Sequence, residues 1–332
     1  MQMKTKIFST AAIYFLSGII LFIINSQLYG KPELHTLKII VGQTTREYTI
    51  YLPSAYDGEK TLPAVLMFHG GGGQSLHAMK ETGWNKKAEK EGFIAVFPQA
   101  MPPDPARPIS FRNNSPIWND GSGRFHAGKK DIDDIGFINA LIDELVTRFH
   151  ADAKCIFATG FSNGASMTFR AGLELSERIA AIAPVSGALW ITNIQPAVCL
   201  PLCYIHGGAD TMNPVHGGAP KTQGGIIMGE GKSKPPVKNH ILRWAEICGI
   251  PAEPLTAVLS NGITMKHYAA GRNGSTIMQY TIEKCGHTWP GGISLLPASM
   301  VGEVTGEFIA VDVIWEFFKK TRSCQRNTVI TE

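Results

Sequence analysis

Six short apolar runs punctuate the chain: AVLMFHG, FIAVFPQ, KCIFATG, IAAIAPVSG, PLCYIHG and TIMQYTI. Each is continuous rather than alternating, and a strand that is apolar on both sides must be covered on both. Between them lie segments with helical periodicity. In DIDDIGFINALIDELVTRF, residues Ile135, Ile138, Leu141, Ile142, Leu145 and Phe149 share one face, with Asp131 placed to cap the helix and Asp134 in its first turn. VKNHILRWAEICG, ending at Gly249, and EFIAVDVIWEFFKK are similar amphipathic helices. The alternation predicts an α/β fold, a mostly parallel sheet with helices on each side. LKIIVG and REYTIYLP, parted by a turn at Gln43 and Thr44, add an antiparallel strand pair at the N-terminal end.

Gly- and Pro-rich sequence gathers at Met101 to Lys130, Thr211 to Pro236 and Trp289 to Gly306, each following a strand. Ligands of open α/β sheets bind outside the carboxyl ends of strands, so these loops are expected to frame a site. No internal repeat, linker or second domain interrupts residues 31–322; a tail of residues 323–332 follows. The formal charge of +4 comes from scattered lysines and arginines without a basic, aromatic-interleaved stripe, which argues against nucleic acid as a partner.

Residues 1–30 carry Lys4 and Lys6 ahead of an apolar run from about Ile7 to Ile24, the layout of a secretory signal. No good Ala-x-Ala site follows, so an uncleaved membrane anchor is the alternative. Either places the body of the protein outside the cytoplasmic membrane, and any membrane contact is through this segment. Six cysteines (Cys155, Cys199, Cys203, Cys248, Cys285, Cys324) suit an oxidising compartment and match no zinc spacing. One or two bridges at most are expected, with Cys155 and Cys203 reading as small buried hydrophobes in strands.

Chemistry concentrates at Gly160-Phe161-Ser162-Asn163-Gly164. This serine stands directly after the strand CIFATG and before a helical segment, the context in which a strained elbow exposes a nucleophilic Oγ between glycines that leave room for crowded backbone. Such a serine needs an acid and then a histidine later in the chain. Asp210, in the loop after PLCYIHG, suits the acid better than Asp312, which falls in the pattern of the terminal helix; an Asx turn before Pro214 is its structural alternative. Among the candidate bases, His216 is too near the acid, His240 lies on a helix and His267 alternates within a strand. His287, in CGHTWPGG, follows the strand TIMQYTIEK where glycines and proline force a turn.

The run HGGGGQS at the end of an early strand offers backbone donors for an oxyanion, assigned to the amides of Gly71 and Asn163, with Gly70 or Gly72 as substitutes. It lacks the last glycine of a dinucleotide loop. Asp120, His126, Asp131, Asp133 and Asp134 lie within one stretch, but carboxylates at a helix start more often cap it than bind calcium. No metal or cofactor is expected.

The strings HGGGG, GWNKKAEKEGFIAVFPQA, DIDDIGFINALIDEL, GFSNGASM, PVSG, IHGGADTMNPV and CGHTWPGG together resemble the secreted esterases that group polyhydroxybutyrate depolymerases with feruloyl and acetyl-xylan esterases of the first carbohydrate-esterase family. The resemblance runs from about Leu37 to Lys320. It implies an α/β-hydrolase fold, the triad Ser162, Asp210 and His287, Gly71 as an oxyanion donor, and Trp118 and Trp289 as aromatic walls of the acyl or aryl pocket. Family members often bridge a cysteine after the helix resembling ILRWAEIC to one in the segment resembling MKHYAAGRNG. That second cysteine is absent here, leaving Cys248 to pair with Cys285 or remain free.

The expected protein is a secreted or membrane-tethered serine carboxylesterase acting on small or oligomeric hydroxyacyl, feruloyl or acetyl esters. Two alternatives are a peptidase of the same fold, which would cleave an aminoacyl-anilide in preference to nitrophenyl esters, and a catalytically silent cell-surface binding module, which a fluorophosphonate would not label.

Overall fold

The computed structural model describes residues 30–220, 233–259 and 262–321. The leader and the tail with Cys324 lie outside them. Among the described residues the strands are β1 (Glu33–Val41), β2 (Thr44–Leu52), β3 (Leu62–Phe68), β4 (Ile94–Pro98), β5 (Ala151–Phe161), β6 (Ala181–Val185), β7 (Leu202–Gly207), β8 (Leu255–Val258), β9 (Ile263–Tyr268) and β10 (Ile277–Ile282). They form one sheet in the order β1-β2-β4-β3-β5-β6-β7-β10-β9-β8. The six strands from β4 to β10 in that order are mutually parallel and correspond to the six apolar runs. The β1–β2 pair is antiparallel, as expected. A second antiparallel pair, β9 and β8, extends the opposite edge.

The longer helices are α1 (Ser75–Thr82), α2 (Trp84–Glu91), α3 (Asp134–Arg148), α4 (Asn163–Glu174), α5 (Val237–Cys248) and α6 (Ala310–Lys319). Alternate residues of β3 explain why two layers of helix are needed. Ala64, Leu66 and Phe68 enter a core with Phe137, Leu141, Phe169 and Trp244 of α3, α4 and α5. Val65 and Met67 enter another with Ala78, Ala88, Trp315 and Phe318 of α1, α2 and α6. Every one of these side chains is essentially fully buried, so both sheet faces withdraw apolar area from water at roughly 25 cal/mol per Å².

Three local expectations are corrected. Helix α3 is capped by Asp133, whose carboxylate accepts from Gly136 N at 2.7 Å, and not by Asp131, which has φ +50° outside the helix. Asp134 begins the helix and turns inward to a 2.6 Å ion pair with buried Arg46. Cys155 is disulfide-bonded rather than a simple buried hydrophobe, whereas Cys199, Cys203, Cys248 and Cys285 are all reduced and buried. A Cys248–Cys285 bridge is therefore ruled out. Asp312 lies on the exposed side of α6, paired with Lys87 at 3.0 Å.

Candidate active site

Ser162 sits between β5 and α4 with φ +55° and ψ −116°, a conformation rarely adopted by a residue with a Cβ. Surrounding structure holds it there. Ser162 N donates to Val185 O at 3.0 Å, and Ser166 N donates to Ser162 O at 3.1 Å. A Cβ on Gly160 would stand 2.4 Å from Gly164 O, and one on Gly164 would stand 2.2 Å from Phe68 O. The two glycines are thus required by backbone crossing at the elbow.

The chain then brings two distant residues to this serine. Asp210 follows β7 and is buried; its Oδ1 accepts from Met212 N and Asn213 N at 2.9 and 2.7 Å, while its Oδ2 accepts from His287 Nδ1 at 2.7 Å. The Asx turn and the histidine contact are made by different oxygens of one carboxylate. Burial alone would raise the Asp210 carboxyl, but the imidazole and the donors around it hold it below the usual carboxylate range. With Nδ1 donating, His287 Nε2 is left to accept from Ser162 Oγ at 2.8 Å. His216, His240 and His267 do not line the cavity above Ser162.

The cavity is lined by Gly70, Gly71 and Asn163 beside Ser162 and His287, and by residues from all three Gly- and Pro-rich loops, including Ile117, Phe125, Met212, Lys234, Trp289 and Val301. No described group accepts from the N–H of Gly71 or Asn163, whereas Gly72 N donates to Pro116 O at 2.8 Å, which removes Gly72 as a substitute donor. The glycine loop is fixed by His69. Its Nδ1 donates to Gly70 O at 2.7 Å and its Nε2 accepts from Ala100 N at 3.1 Å; burial lowers this imidazole to about 4, which keeps it neutral.

Trp118 is not a cavity wall. It is fully buried, its indole donates to His69 O at 3.0 Å, and its backbone holds the Asn163 amide by two hydrogen bonds of 2.8 and 3.2 Å. It positions the elbow and the glycine loop from behind. Trp289 does line the cavity, although only 3% of it is exposed and its indole N–H has no acceptor among the described residues. The acidic stretch is occupied by structural duties: Asp120 pairs with Arg124 and accepts from Asn163 Nδ2, Asp133 caps α3, and His126 contacts Met101 O.

Sequence reasoning passed over Glu81, Asn213 and Lys234. Glu81 lies on α1 and lines the cavity, and burial raises its carboxyl from 4.5 to about 7. The folded protein therefore keeps a proton that the unfolded chain releases between those two values, so stability falls as pH rises through that window. Glu81→Gln is expected to be more stable than wild type at about pH 8 by roughly 1–3 kcal/mol, with little difference near pH 4.5. Thermal melts at both pH values measure this; a gap that is the same at both would contradict it.

A model of the phospholipase/carboxylesterase family matches residues 55–224, just over half of the chain and inclusive of Ser162 and Asp210. The chain belongs to that family. Membership makes it a hydrolase of carboxylic ester bonds. NocK of Nocardia uniformis subsp. tsuyamanensis, named as an esterase, is 23% identical over 291 residues, covering 84% of this chain and 81% of NocK. Feruloyl esterase B of Piromyces equi is 26% identical over 247 residues, which are 73% of this chain but only 42% of that longer protein. Among solved structures, the acetyl xylan esterase from Aspergillus awamori shares the fold with a TM-score of 0.52 at 16% identity, over 75% of this carboxylesterase and 92% of its own chain. No helix among the described residues is long and apolar enough to cross a membrane.

Proposed function

We propose that this carboxylesterase is an exported serine esterase that works through an acyl-enzyme formed on Ser162. The observation that carries the proposal is the continuous hydrogen-bonded relay from Asp210 through His287 to Ser162 Oγ at the base of a loop-lined cavity. Ser162 Oγ attacks the ester carbonyl as its proton passes to His287 Nε2, and Asp210 orients the imidazole and stabilises its charged form. The amides of Gly71 and Asn163 bind the tetrahedral oxyanion, each worth about 3 kcal/mol of barrier reduction. Collapse of the intermediate breaks the C–O bond, and His287 gives its proton to the departing alcohol. Water, deprotonated by the same imidazole, releases the acid and restores Ser162.

The substrates proposed are esters of hydroxyacyl, feruloyl or acetyl groups. The feruloyl and acetyl-xylan esterase names of relatives support this range, as do the apolar cavity residues. Export is supported by the Lys4, Lys6 and apolar leader pattern and by a disulfide at Cys155. A panel of hydroxybutyrate oligomers, methyl ferulate and acetylated xylan tests the range. Turnover of an aminoacyl-anilide with none of any ester would overturn it.

Trp289 gives a narrower test. Its indole belongs to the core beneath the helices α1 and α6 as well as to the cavity. Trp289→Ala is expected to lower the melting temperature and to reduce kcat/KM several-fold more for a feruloyl than for an acetyl ester, since stacking adds about 0.5–1.5 kcal/mol beyond area burial. Equal losses on both esters would leave it a purely structural side chain.

A further inference from the structure

Of the described residues that line the cavity over Ser162, Glu81 alone is acidic, and the proposed chemistry does not use it. Ala78, Glu81 and Thr82 line the cavity together, at the spacing that puts three residues on one face of α1. The loop after Trp289 meets this face. Ile293 N donates to Glu81 O at 3.0 Å, and a Cβ on Gly292 would stand 2.0 Å from Glu81 O and 2.9 Å from Trp289 Cδ1. Glu81 is thus set beside the Trp289 indole, and the same loop adds Ile293, Leu296 and Val301 to the cavity wall.

A carboxyl in these surroundings is costly. Burial pushes it up to about 7, and among the described residues no lysine, arginine or histidine pairs with it; only the Leu295 N–H draws it back. Water was within reach, since α1 is a surface helix whose Leu76 and Lys80 are exposed. A single N–H engages one carboxyl oxygen and leaves the other. Glu81 also keeps part of its surface accessible. A desolvated acid in a cleft without a counter-charge marks a functional position. An acid on an apolar wall complements an apolar group that carries a hydroxyl: the hydroxyl donates to the carboxyl oxygen, and accepts in return when the acid is protonated.

We infer that Glu81 binds a hydroxyl on the acyl group of the substrate and so selects hydroxyacyl esters over esters of the same shape that lack the hydroxyl. The inference rests on the reading of Ser162 as nucleophile, and the acyl side is chosen because Glu81 adjoins Trp289, the wall assigned to the acyl or aryl group. Aliphatic hydroxyacyl and phenolic acyl esters share this chemistry; an acetyl ester lacks it.

Two pairs of isosteres, in which a methyl group replaces the hydroxyl, test the inference and separate the two sources. 4-Nitrophenyl 3-hydroxybutyrate against 4-nitrophenyl 3-methylbutyrate carries the aliphatic case, and methyl 4-hydroxycinnamate against methyl 4-methylcinnamate the phenolic one. Wild type is expected to show about tenfold higher kcat/KM for the hydroxyl member of one pair or both, the size of loss that follows when a buried polar group is left unpaired. The pair that shows it identifies the hydroxyl. Glu81→Leu is expected to bring that ratio to within about twofold of unity, and Glu81→Gln, whose amide still donates and accepts, to retain part of it. If Glu81→Leu does not fold by circular dichroism, Glu81→Met takes its place.

A carboxyl that merely fastens the loop after Trp289 would, when replaced, slow both members of a pair alike and leave the ratio intact. Equal rates within both pairs, faster turnover of the methyl isosteres, or a preference that survives in Glu81→Leu would overturn the assignment. Hydrolysis of 4-nitrophenyl acetate, lost in Ser162→Ala, is the separate control. Its failure would instead sink the esterase assignment of Ser162.

Discussion

Ser162→Ala is expected to reduce kcat on any ester by at least ~10⁴-fold while leaving the melting temperature within a few degrees of wild type, since residues of a triad act as a unit. The fold does not depend on the hydroxyl: among the described residues Ser162 Oγ bonds only to His287 Nε2, whereas its backbone is held by Val185 O and Ser166 N. Alanine also meets less strain in the elbow than a larger side chain would. Steady-state kinetics with a nitrophenyl ester, together with a thermal melt, measure both quantities. A variant that keeps more than about a tenth of wild-type activity would require another nucleophile.

Gly164→Val is expected to have the opposite signature, with stability and activity lost together. A Cβ at this position would lie 2.2 Å from Phe68 O and 2.4 Å from His69 O, both backbone atoms at the end of β3 that cannot move without displacing the glycine loop. Relief would require parting α4 from β3, at a cost of the order of 4 kcal/mol or more, as in severe overpacking. Soluble yield and the melting temperature read this directly. A Gly164→Val protein that melts like wild type would show that the elbow packs more loosely than described.

The parallel centre of the sheet was legible because strands buried on both faces read as unbroken apolar runs, and all six of those runs became strands. The β8 edge was not legible. Leu255 and Val258 are 74% and 81% exposed, so no face of that strand is marked by burial. The Asp133 cap was one acid away from the expected Asp131, a choice set by backbone dihedrals that the string DIDD does not encode. For Ser162, Asp210 and His287, chain order and strand-end context sufficed to predict a cluster, and the three side chains do meet.

Trp118 and Trp289 show the limit of the same reasoning. Both are aromatic residues near site loops, and only the three-dimensional path of each loop sends one behind Asn163 and the other into the cavity. Lys234 gave no signal at all, since a lysine before two prolines in a Gly-rich loop reads as solvated. The reduced Cys248 and Cys285 likewise follow from where α5 and the His287 loop lie, not from spacing.

The most direct test of the central claim is mass spectrometry of the folded protein after treatment with a fluorophosphonate. Ser162 activated by His287 is expected to take up one phosphonyl group per chain, on the peptide containing Ser162, with loss of esterase activity in step with labelling. His287→Ala is expected to label at least ~10³-fold more slowly, because the base that activates the serine is gone. An adduct on a different residue, or full esterase activity in protein labelled at Ser162, would contradict the account.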